Sequence, residues 1–289
     1  MGIRNKLFRR EKENGSERPP TREGSPPDRL QCASPLDVAQ ATDIGRTREI
    51  NEDAFLTLKA VVGTSDPPSP LALLIVADGL GGHAGGREAS TTAVRVAARA
   101  LITELLLPIL MNETREMGRR PIQEIITEAI ISANQSVSQI ESDAGTTLTA
   151  VLVADHSAYA GHVGDTRLYY VTDGKATQIT KDHSLVSRLV ELGEISPKEA
   201  QSHPQRNFLY RALGQDPELE VDAHLQRLAE GSYLLLCSDG LWGSVSDQEM
   251  LEVIYEAPSL QEACNRLIDL ANERGGDDNT TVVLARINY

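Results

Sequence analysis

The sequence predicts an α+β protein in which helices are layered on mostly antiparallel sheets. Apolar or alternating runs rich in Val, Ile, Leu and Tyr indicate strands that follow one another directly along the chain. Consecutive strands with short connections pair in antiparallel fashion, since parallel pairs need long crossovers. The long helical segments stand between and after these runs instead of alternating with single strands, which is typical of α+β folds.

The strand predictions rest on short runs of β-branched, aliphatic and aromatic residues. They cover residues 53–61, 71–77, 147–154, 157–163, 167–171, 176–180, 233–238 and 280–287. Apolar residues at helical spacing predict helices over 86–107, 121–141 and 259–273, the second beginning at Pro121. Residues 184–230 contain three prolines, short helical stretches and no strong strand, so we expect a partly helical flap there.

Residues 1–38 differ in composition from the rest of the chain. They are rich in Pro, Ser, Glu and Arg, and they contain few large apolar side chains. Such a segment buries too little surface to offset the entropy lost on ordering, so we expect it to be disordered. The globular pattern over 39–289 predicts the folded part of the 289-residue chain.

The charge balance bears on the kind of partner. The chain carries 28 Lys and Arg against 42 Asp and Glu, a net charge of −14. This balance argues against nucleic acid or an anionic membrane as the main partner. No apolar run approaches the roughly 20 residues of a spanning helix, and the first residues lack the apolar core of a secretory signal.

The three cysteines, Cys32, Cys237 and Cys264, are few and widely spaced. They fit neither a disulfide framework nor a zinc site, so a reducing cytoplasm is the expected location. Any bound metal ion would therefore be held by oxygen ligands.

Two apolar strands end in the same tripeptide. LALLIVADGLGG (71–82) and YLLLCSDGLWG (233–243) both finish in Asp-Gly-Leu, at Asp78 and Asp239. A strand that is apolar on both faces lies in the middle of a sheet, so each carboxylate sits at the rim of the core. The glycine lets the backbone turn sharply or approach a ligand closely. Asp-Gly is also a common hairpin turn, and that alternative applies to each copy taken singly.

Further acidic residues stand at other predicted strand ends. Glu52 and Asp53 precede the first strand, Asp165 lies between two strands, and Asp277 and Asp278 precede the last. Carboxylates gathered without matching basic residues raise one another's pKa, which a bound cation relieves. Oxygen ligands of this kind suit Mg²⁺ and Mn²⁺. The sequence therefore predicts a divalent metal site, with Arg48 four residues before Glu52 as a candidate phosphate ligand.

Seven ordered motifs resemble the metal-dependent protein phosphatase family, the protein phosphatase 2C type, and its bacterial branch most closely. They are TDIGRTREINEDAF (42–55), LIVADGLGGHAGGREAS (74–90), GTTLTAVLV (145–153), GHVGDTRLYY (161–170), TKDHSLV (180–186), LLLCSDGLW (234–242) and GGDDNTTVVL (275–284). The resemblance covers the chain from about residue 40 onward. It implies a four-layer α-β-β-α sandwich, two antiparallel sheets flanked by helices, with the site at one end.

The resemblance also implies a role for each candidate residue. Two Mn²⁺ or Mg²⁺ ions, with a third as an option, would be held by Asp53, Asp78, the carbonyl of Gly79, Asp165, Asp239 and Asp278. Within this set Asp78 would bridge the two ions and Asp165 would help to hold the third. Glu52 would act through water, and Arg48 would hold the substrate phosphate. A water activated by both ions would then attack phosphorus in line.

Two positions depart from the family pattern or invite another chemistry. Leu80 stands where many eukaryotic members have a histidine proposed as the general acid, so the acid for the leaving group is open, with His83 as a nearby candidate. No covalent phosphoenzyme is implied, and Cys237 is interpreted as a buried strand cysteine.

The leading hypothesis is a serine/threonine protein phosphatase, a phosphoric monoester hydrolase, that takes part in signalling. Its partners would be phosphorylated proteins, either kinases or kinase substrates, and we expect a monomer. One alternative is a pseudophosphatase that binds phosphoproteins, although none of the expected ligand Asp residues is missing. The other is a metal phosphohydrolase acting on small phosphate esters; GGHAGG lacks the Gly-Lys-Ser/Thr ending of a nucleotide-binding P-loop.

Overall fold

Two five-stranded antiparallel sheets form the centre of the molecule. The computed structural model describes residues 34–62, 69–81, 84–111, 120–140 and 144–288. The strands are β1 (Leu36–Asp43), β2 (Ala54–Val62), β3 (Ser69–Ala77), β4 (Gly79–Leu80), β5 (Gly145–Thr146), β6 (Leu148–Ala154), β7 (Ser157–Val163), β8 (Arg167–Thr172), β9 (Lys175–Gln178), β10 (Asp222–Arg227), β11 (Tyr233–Cys237) and β12 (Thr280–Ile287). The first sheet has the order β1-β12-β11-β8-β9, the second β10-β7-β6-β3-β2, and β4 pairs separately with β5.

Helices cover the outer face of each sheet. They are α1 (Ala84–Leu101), α2 (Leu107–Leu110), α3 (Ile122–Val137), α4 (Leu185–Glu191), α5 (Pro197–Gln201), α6 (Asp239–Trp242), α7 (Asp247–Glu256) and α8 (Leu260–Glu273). One π-helical turn, Ile102–Leu106, joins α1 to α2. No helix formed by the described residues is long and apolar enough to cross a bilayer.

Successive side chains of each strand point to opposite faces of its sheet, and this alternation explains the layers. On β3, Leu73 and Ile75 pack under α1 and α3, whereas Leu74 and Val76 point between the two sheets. On β12, Val282 and Leu284 pack under α7 and α8, whereas Val283 lies between the two sheets. Because both faces of these central strands are buried, their sequences are apolar throughout. The four-layer α-β-β-α sandwich predicted from the sequence is confirmed.

The flap region departs from expectation in one respect. Residues 184–230 contain the predicted short helices, α4 and α5, but the expectation of no strong strand there was wrong, because β10 pairs with β7 along its whole length. In β10 the apolar Leu225 is exposed while the polar His224 and Gln226 are half-buried. Polar and apolar residues alternate over 222–226 of β10, but the polar ones face the protein and the apolar ones face solvent, so hydrophobicity gives no signal of a half-buried strand.

The start of the folded region also differs slightly from the boundary drawn on composition. Strand β1 begins at Leu36, so the boundary between residues 38 and 39 falls inside this strand. Most of the 1–38 segment lies outside the described residues, and its disorder stays a prediction. Helix α7 was not foreseen, although Ser246 and Glu249 form a capping box at its start.

Candidate active site

Antiparallel pairing brings three candidate carboxylates to one end of the first sheet. Asp239 follows β11, Asp278 precedes β12, and Asp165 precedes β8. In the register of this sheet the end of β11 lies beside the starts of β12 and β8. The three residues are far apart in sequence, and the sheet makes them neighbours.

The second sheet adds two more carboxylates at its own end. Asp53 precedes β2 and Asp78 follows β3, and the adjoining Ala54 and Ala77 are paired across the two strands. Ser238, the residue after β11 of the first sheet, donates from Oγ to Asp53 Oδ2 at 2.7 Å. This hydrogen bond joins the ends of the two sheets and closes the carboxylates into a single cluster.

Mutual repulsion links the five aspartates of this cluster. Burial raises the pKa of Asp78 well above its ordinary value, and four other carboxylates raise it further, namely those of Asp53, Asp239, Asp165 and Asp278. Asp239 and Asp78 are close enough to share a hydrogen bond. These five aspartates are called the carboxylate cluster below.

Burial dominates the ionisation of the cluster. It raises the pKa of Asp53 to about 7, against the opposing hydrogen bonds from Thr281 and Ser238. It raises the pKa of Asp239 to about 6, with further repulsion from Asp278. Because each added negative charge is costly here, the cluster favours a bound cation.

Two carboxylate oxygens of the cluster are enclosed and have no hydrogen-bond partner in the described part of the chain, Asp53 Oδ1 and Asp239 Oδ1. Buried polar atoms are nearly always satisfied, so these oxygens require a ligand. Among the described residues, no three Asp, Glu, His or Cys side chains form a ready ligand set for one ion. Main-chain carbonyls and water would therefore complete the coordination of a hard divalent ion, as is usual for Mg²⁺.

The main chain around Asp78 is held by two threonines. Asp78 N donates to Thr147 Oγ1 at 2.8 Å, and its carbonyl accepts from Thr146 Oγ1 at 2.8 Å and Thr147 N at 2.9 Å. Neither threonine was singled out from the sequence. Their contribution depends on the pairing of β4 with β5, which local patterns do not reveal.

The glycines of the two Asp-Gly pairs are required by close packing of backbone on backbone. A Cβ at Gly79 would overlap the carbonyl of Gly86 and lie 2.7 Å from the carbonyl oxygen of Glu52. A Cβ at Gly240 would overlap the carbonyl of Asn279. The hairpin-turn alternative does not apply to the second pair, because Asp239 and Gly240 open helix α6.

Arg48 lies at the exposed side of the cluster. Its Nη2 donates to Asp278 Oδ2 at 2.7 Å, and its side chain is 42% exposed. Burial alone would lower the pKa of Arg48, but the bond to Asp278 outweighs it and the pKa is raised. The guanidinium carries five N–H donors, so it can contact Asp278 and an incoming anion together.

Asn279 is a structural residue of the site that sequence reasoning missed. Its Oδ1 accepts from Glu52 N at 2.8 Å, and its Nδ2 donates to the carbonyls of Ile44 and Ile50. One side chain thus fixes the loop that carries Arg48 and Asp53. Its place beside Asp278 in the sequence was the only available signal.

The structure gives little support to the candidates for a general acid or a nucleophile. Leu80 is half-buried and paired with Gly145, and it has no proton to donate. His83, the alternative acid, lies outside the described residues. Cys237 is fully buried and burial raises the pKa of its thiol, so it stays protonated and does not serve as a nucleophile.

Comparison with known families identifies the family to which this fold belongs. The family model described as "Protein phosphatase 2C" matches residues 46–275. The match includes Arg48, Asp53, Asp78, Asp165 and Asp239, and ends just before Asp278.

Curated relatives agree along nearly their whole length. The chain is 37% identical over 247 residues to the serine/threonine phosphatase stp of Listeria innocua, covering 86% of this chain and 94% of the relative. It is 32% identical over 258 residues to the protein phosphatase PhpP of Streptococcus pneumoniae, covering 88% and 98% respectively.

Solved structures agree as well. The serine/threonine phosphatase PstP/Ppp of Mycobacterium tuberculosis superposes with a TM-score of 0.72 at 36% identity, over 88% of this chain and 99% of that one. The catalytic domain of PstP, solved in complex with two manganese ions, superposes with a TM-score of 0.69 at 34% identity, with the same coverage. The expected resemblance is confirmed: this chain belongs to the protein phosphatase 2C family.

Proposed function

We propose that this chain removes phosphate from phosphoserine and phosphothreonine residues of proteins, using two Mn²⁺ or Mg²⁺ ions held by the carboxylate cluster. Membership of the protein phosphatase 2C family and similarity to named serine/threonine phosphatases support the reaction class. The proposal rests above all on five converging aspartates with one paired arginine, in which Asp53 Oδ1 and Asp239 Oδ1 are enclosed and have no hydrogen-bond partner among the described residues.

The surroundings of Asp78 and Asp165 support the ligand roles that the family resemblance implies. Asp78 interacts with all four other aspartates, which suits a carboxylate that bridges two ions. Gly79 follows it directly and would offer its carbonyl, while Asp239 and Asp278 would complete the pair and Asp53 would face it. Asp165 interacts with Asp239 and also with Asp182 and Arg167 outside the cluster, which supports its assignment to a third ion.

The ions, when bound, supply an activated water and neutralise the charge that develops on the phosphoryl oxygens. Arg48 supplies a fixed positive charge at the exposed side, where it binds phosphate oxygens and orients the phosphoryl group. Asp278 holds the guanidinium in place through the 2.7 Å bond. Ser238 and Asn279 keep Asp53 and its loop aligned with the ends of both sheets.

The partners of the enzyme follow from the reaction. Phosphorylated proteins are the substrates, and the acidic chain is not expected to bind nucleic acid. We infer a monomer in the cytoplasm, where the buried thiols of Cys237 and Cys264 remain reduced.

A phosphothreonine peptide and a small ester, p-nitrophenyl phosphate, distinguish the candidate functions. We expect hydrolysis of both with Mn²⁺, none with EDTA, and a much higher kcat/KM for the peptide. Hydrolysis of the small ester alone would favour the small-ester phosphohydrolase. Tight binding of the phosphopeptide without release of phosphate would favour the pseudophosphatase.

A further inference from the structure

Gly164, Asp165 and Thr166 form a short turn between β7 and β8, called the Asp165 turn below. His183 holds its first residue twice: the backbone N of His183 donates to the Gly164 carbonyl at 2.7 Å, and His183 Nδ1 accepts from Gly164 N at 3.0 Å. The last residue is held as well, because Thr149 Oγ1 lies 2.7 Å from Thr166 Oγ1, at hydrogen-bond distance. Both ends of the turn are therefore fixed by residues distant in the chain.

Trp242 holds the middle residue of this turn. Its Nε1 donates to the carbonyl oxygen of Asp165 at 3.0 Å. An indole nitrogen is a donor only, so the direction of this hydrogen bond is certain. Asp165 is 5% exposed, so little water is available to replace the bond if the donor is removed. The position of the Asp165 main chain therefore depends on the indole N–H.

The indole ring is itself held in place from one face. The guanidinium carbon of Arg167 lies 3.7 Å from the centroid of the Trp242 ring, a cation–π contact. Asp182 fixes this guanidinium through three hydrogen bonds of 2.7 to 3.2 Å, and Tyr169 accepts another at 2.8 Å. The ring that contacts Asp165 thus has little freedom to move.

Trp242 belongs to the same helical turn as Asp239 of the carboxylate cluster. Helix α6 begins at Asp239 and ends at Trp242, and residues three apart are neighbours on a helix surface. Gly243 N donates to the Asp239 carbonyl at 2.8 Å and closes this turn. The helix that carries the Asp239 carboxylate therefore also holds the turn that carries Asp165.

This restraint acts against a repulsion between two carboxylates. Burial raises the pKa of Asp165 well above its ordinary value, and the charge of Asp239 raises it further. Carboxylates that repel each other tend to separate unless the main chain keeps them together. The bond from Trp242 to the Asp165 carbonyl supplies such a restraint and leaves the oxygens of both carboxylates available for a metal ion.

We propose that Trp242 is a positioning residue for the third ion: its bond to the Asp165 carbonyl sets the spacing between the carboxylates of Asp165 and Asp239. The inference rests on the proposed function, and in particular on the assignment of Asp165 to a third ion. It adds a physical link between that ion and the pair, because Asp239 and Trp242 share helix α6. Trp242 acts through Asp165 and is not itself a ligand.

Trp242→Phe tests the bond with little other change, because phenylalanine keeps an aromatic ring beside Arg167 and lacks the N–H donor. Calorimetric titration of the EDTA-treated protein with Mn²⁺ measures each binding step. For the native protein we expect two tight steps and a weaker third. In Trp242→Phe the dissociation constant of the third step should rise about tenfold, as when a metal ligand loses its supporting hydrogen bond, and the tight constants should stay within about twofold.

Two further variants serve as reference and control. Asp165→Asn should lose the third binding step altogether. Tyr170→Phe is the matched control, because Tyr170 also belongs to the β7–β8 region and its hydroxyl accepts from the main-chain N of Ala229 at 3.1 Å. This control likewise removes one hydrogen bond between an aromatic side chain and the main chain, and it should leave all three constants native.

Trp242 also provides a direct optical signal, because it is the single tryptophan of the chain. During the Mn²⁺ titration of the native protein, its fluorescence should change with the midpoint of the third step. Asp165→Asn should abolish this change. A tryptophan that only fills space would give no fluorescence change linked to the third step.

The proposal is overturned if Trp242→Phe leaves the third step native or weakens all three steps alike, or if Tyr170→Phe weakens the third step equally. It is also overturned if Asp165→Asn keeps the third step, or if the native protein shows no third step or no linked fluorescence change. Failure of the proposed function would look different, since the native protein would then bind no Mn²⁺ tightly and hydrolyse no phosphothreonine peptide.

Discussion

Two sets of carboxylates in this protein have opposite surroundings: Asp182 is paired with a cation, whereas the carboxylate cluster is nearly without one. Asp182 accepts three hydrogen bonds of 2.7 to 3.2 Å from Arg167 and one of 2.9 Å from Gln178. Arg167 in turn stacks on Trp242 at 3.7 Å and donates to Tyr169. The carboxylate cluster has five aspartates and, in the described residues, a single arginine, Arg48, bonded to Asp278.

The difference separates a structural pair from a reactive site. Asp182 is fully compensated within the protein, and its partners hold the start of β8 in place. The cluster is left with raised pKa values at Asp53, Asp78, Asp165 and Asp239, which only added cations relieve. Perturbed carboxylates in one place are typical of functional sites, and this supports our proposal that the metal ions bind at the cluster.

The largest expected effect is on activity when the cluster loses a carboxylate. Asp239→Asn should lower Mn²⁺-dependent kcat/KM for a phosphothreonine peptide by about a thousandfold or more, because several kcal/mol of transition-state stabilisation are lost. Removing a repelling charge should leave the melting temperature of the metal-free protein unchanged or higher. Asp277→Asn, at an exposed neighbour of Asp278, serves as the control and should remain active. Native turnover in Asp239→Asn would refute the ligand assignment.

Loss of the carboxylate from the Arg167–Asp182 pair should instead lower stability. Asp182→Asn leaves the half-buried guanidinium of Arg167 without its carboxylate, which costs about 3 kcal/mol of unfolding free energy, the lower end of the range for fully buried pairs. For a domain of this size the melting temperature should fall by roughly 10 °C. Glu262→Gln, which breaks the exposed pair with Arg266, should cost below about 1 kcal/mol. If Asp182→Asn and Glu262→Gln lower the melting temperature equally, the Arg167–Asp182 pair is not the stabilising pair described here.

Addition of Mn²⁺ should stabilise the native protein and Asp182→Asn much more than Asp239→Asn. Mn²⁺ at about 100 times its dissociation constant should stabilise the native protein by about 2.7 kcal/mol, because ligands that bind only the folded state stabilise it. Asp239→Asn should lose most of this gain, whereas Asp182→Asn should keep it despite its lower starting stability. Thermal unfolding with Mn²⁺ and with EDTA measures each case. An equal gain in all three proteins would place the ions outside the cluster.

The smallest expected effect concerns the one arginine of the cluster. Arg48→Ala should raise KM for the phosphopeptide about tenfold with a smaller change in kcat, since a contact that positions phosphate is lost. Arg46→Ala, at the exposed arginine two residues earlier, is the control. Steady-state kinetics at saturating Mn²⁺ measure KM for both variants. A native KM in Arg48→Ala would show that Arg48 does not position phosphate.

Much of the fold was predictable because the central strands are strongly patterned. Strands 157–163 and 280–287 and the helix ending at Glu273 lie where the sequence predicts them, within a residue. Strand β1 was missed since its mixed sequence depends on pairing with β12 for its conformation. Strand β10 was missed because Leu225 faces solvent, and tertiary pairing overrides local propensity there.

The sequence by itself determined the chemical repertoire of this protein: acidic residues at the ends of apolar strands, an arginine four residues before Glu52, and no Cys/His cluster of the zinc-binding kind. Only the tertiary structure decided which acids are compensated. Asp182 and Asp239 both follow a strand closely, and no local pattern shows which of the two has a basic partner. Antiparallel pairing places the first beside Arg167 and the second among other carboxylates, because contacts between residues distant in the chain set the electrostatic environment of a buried group.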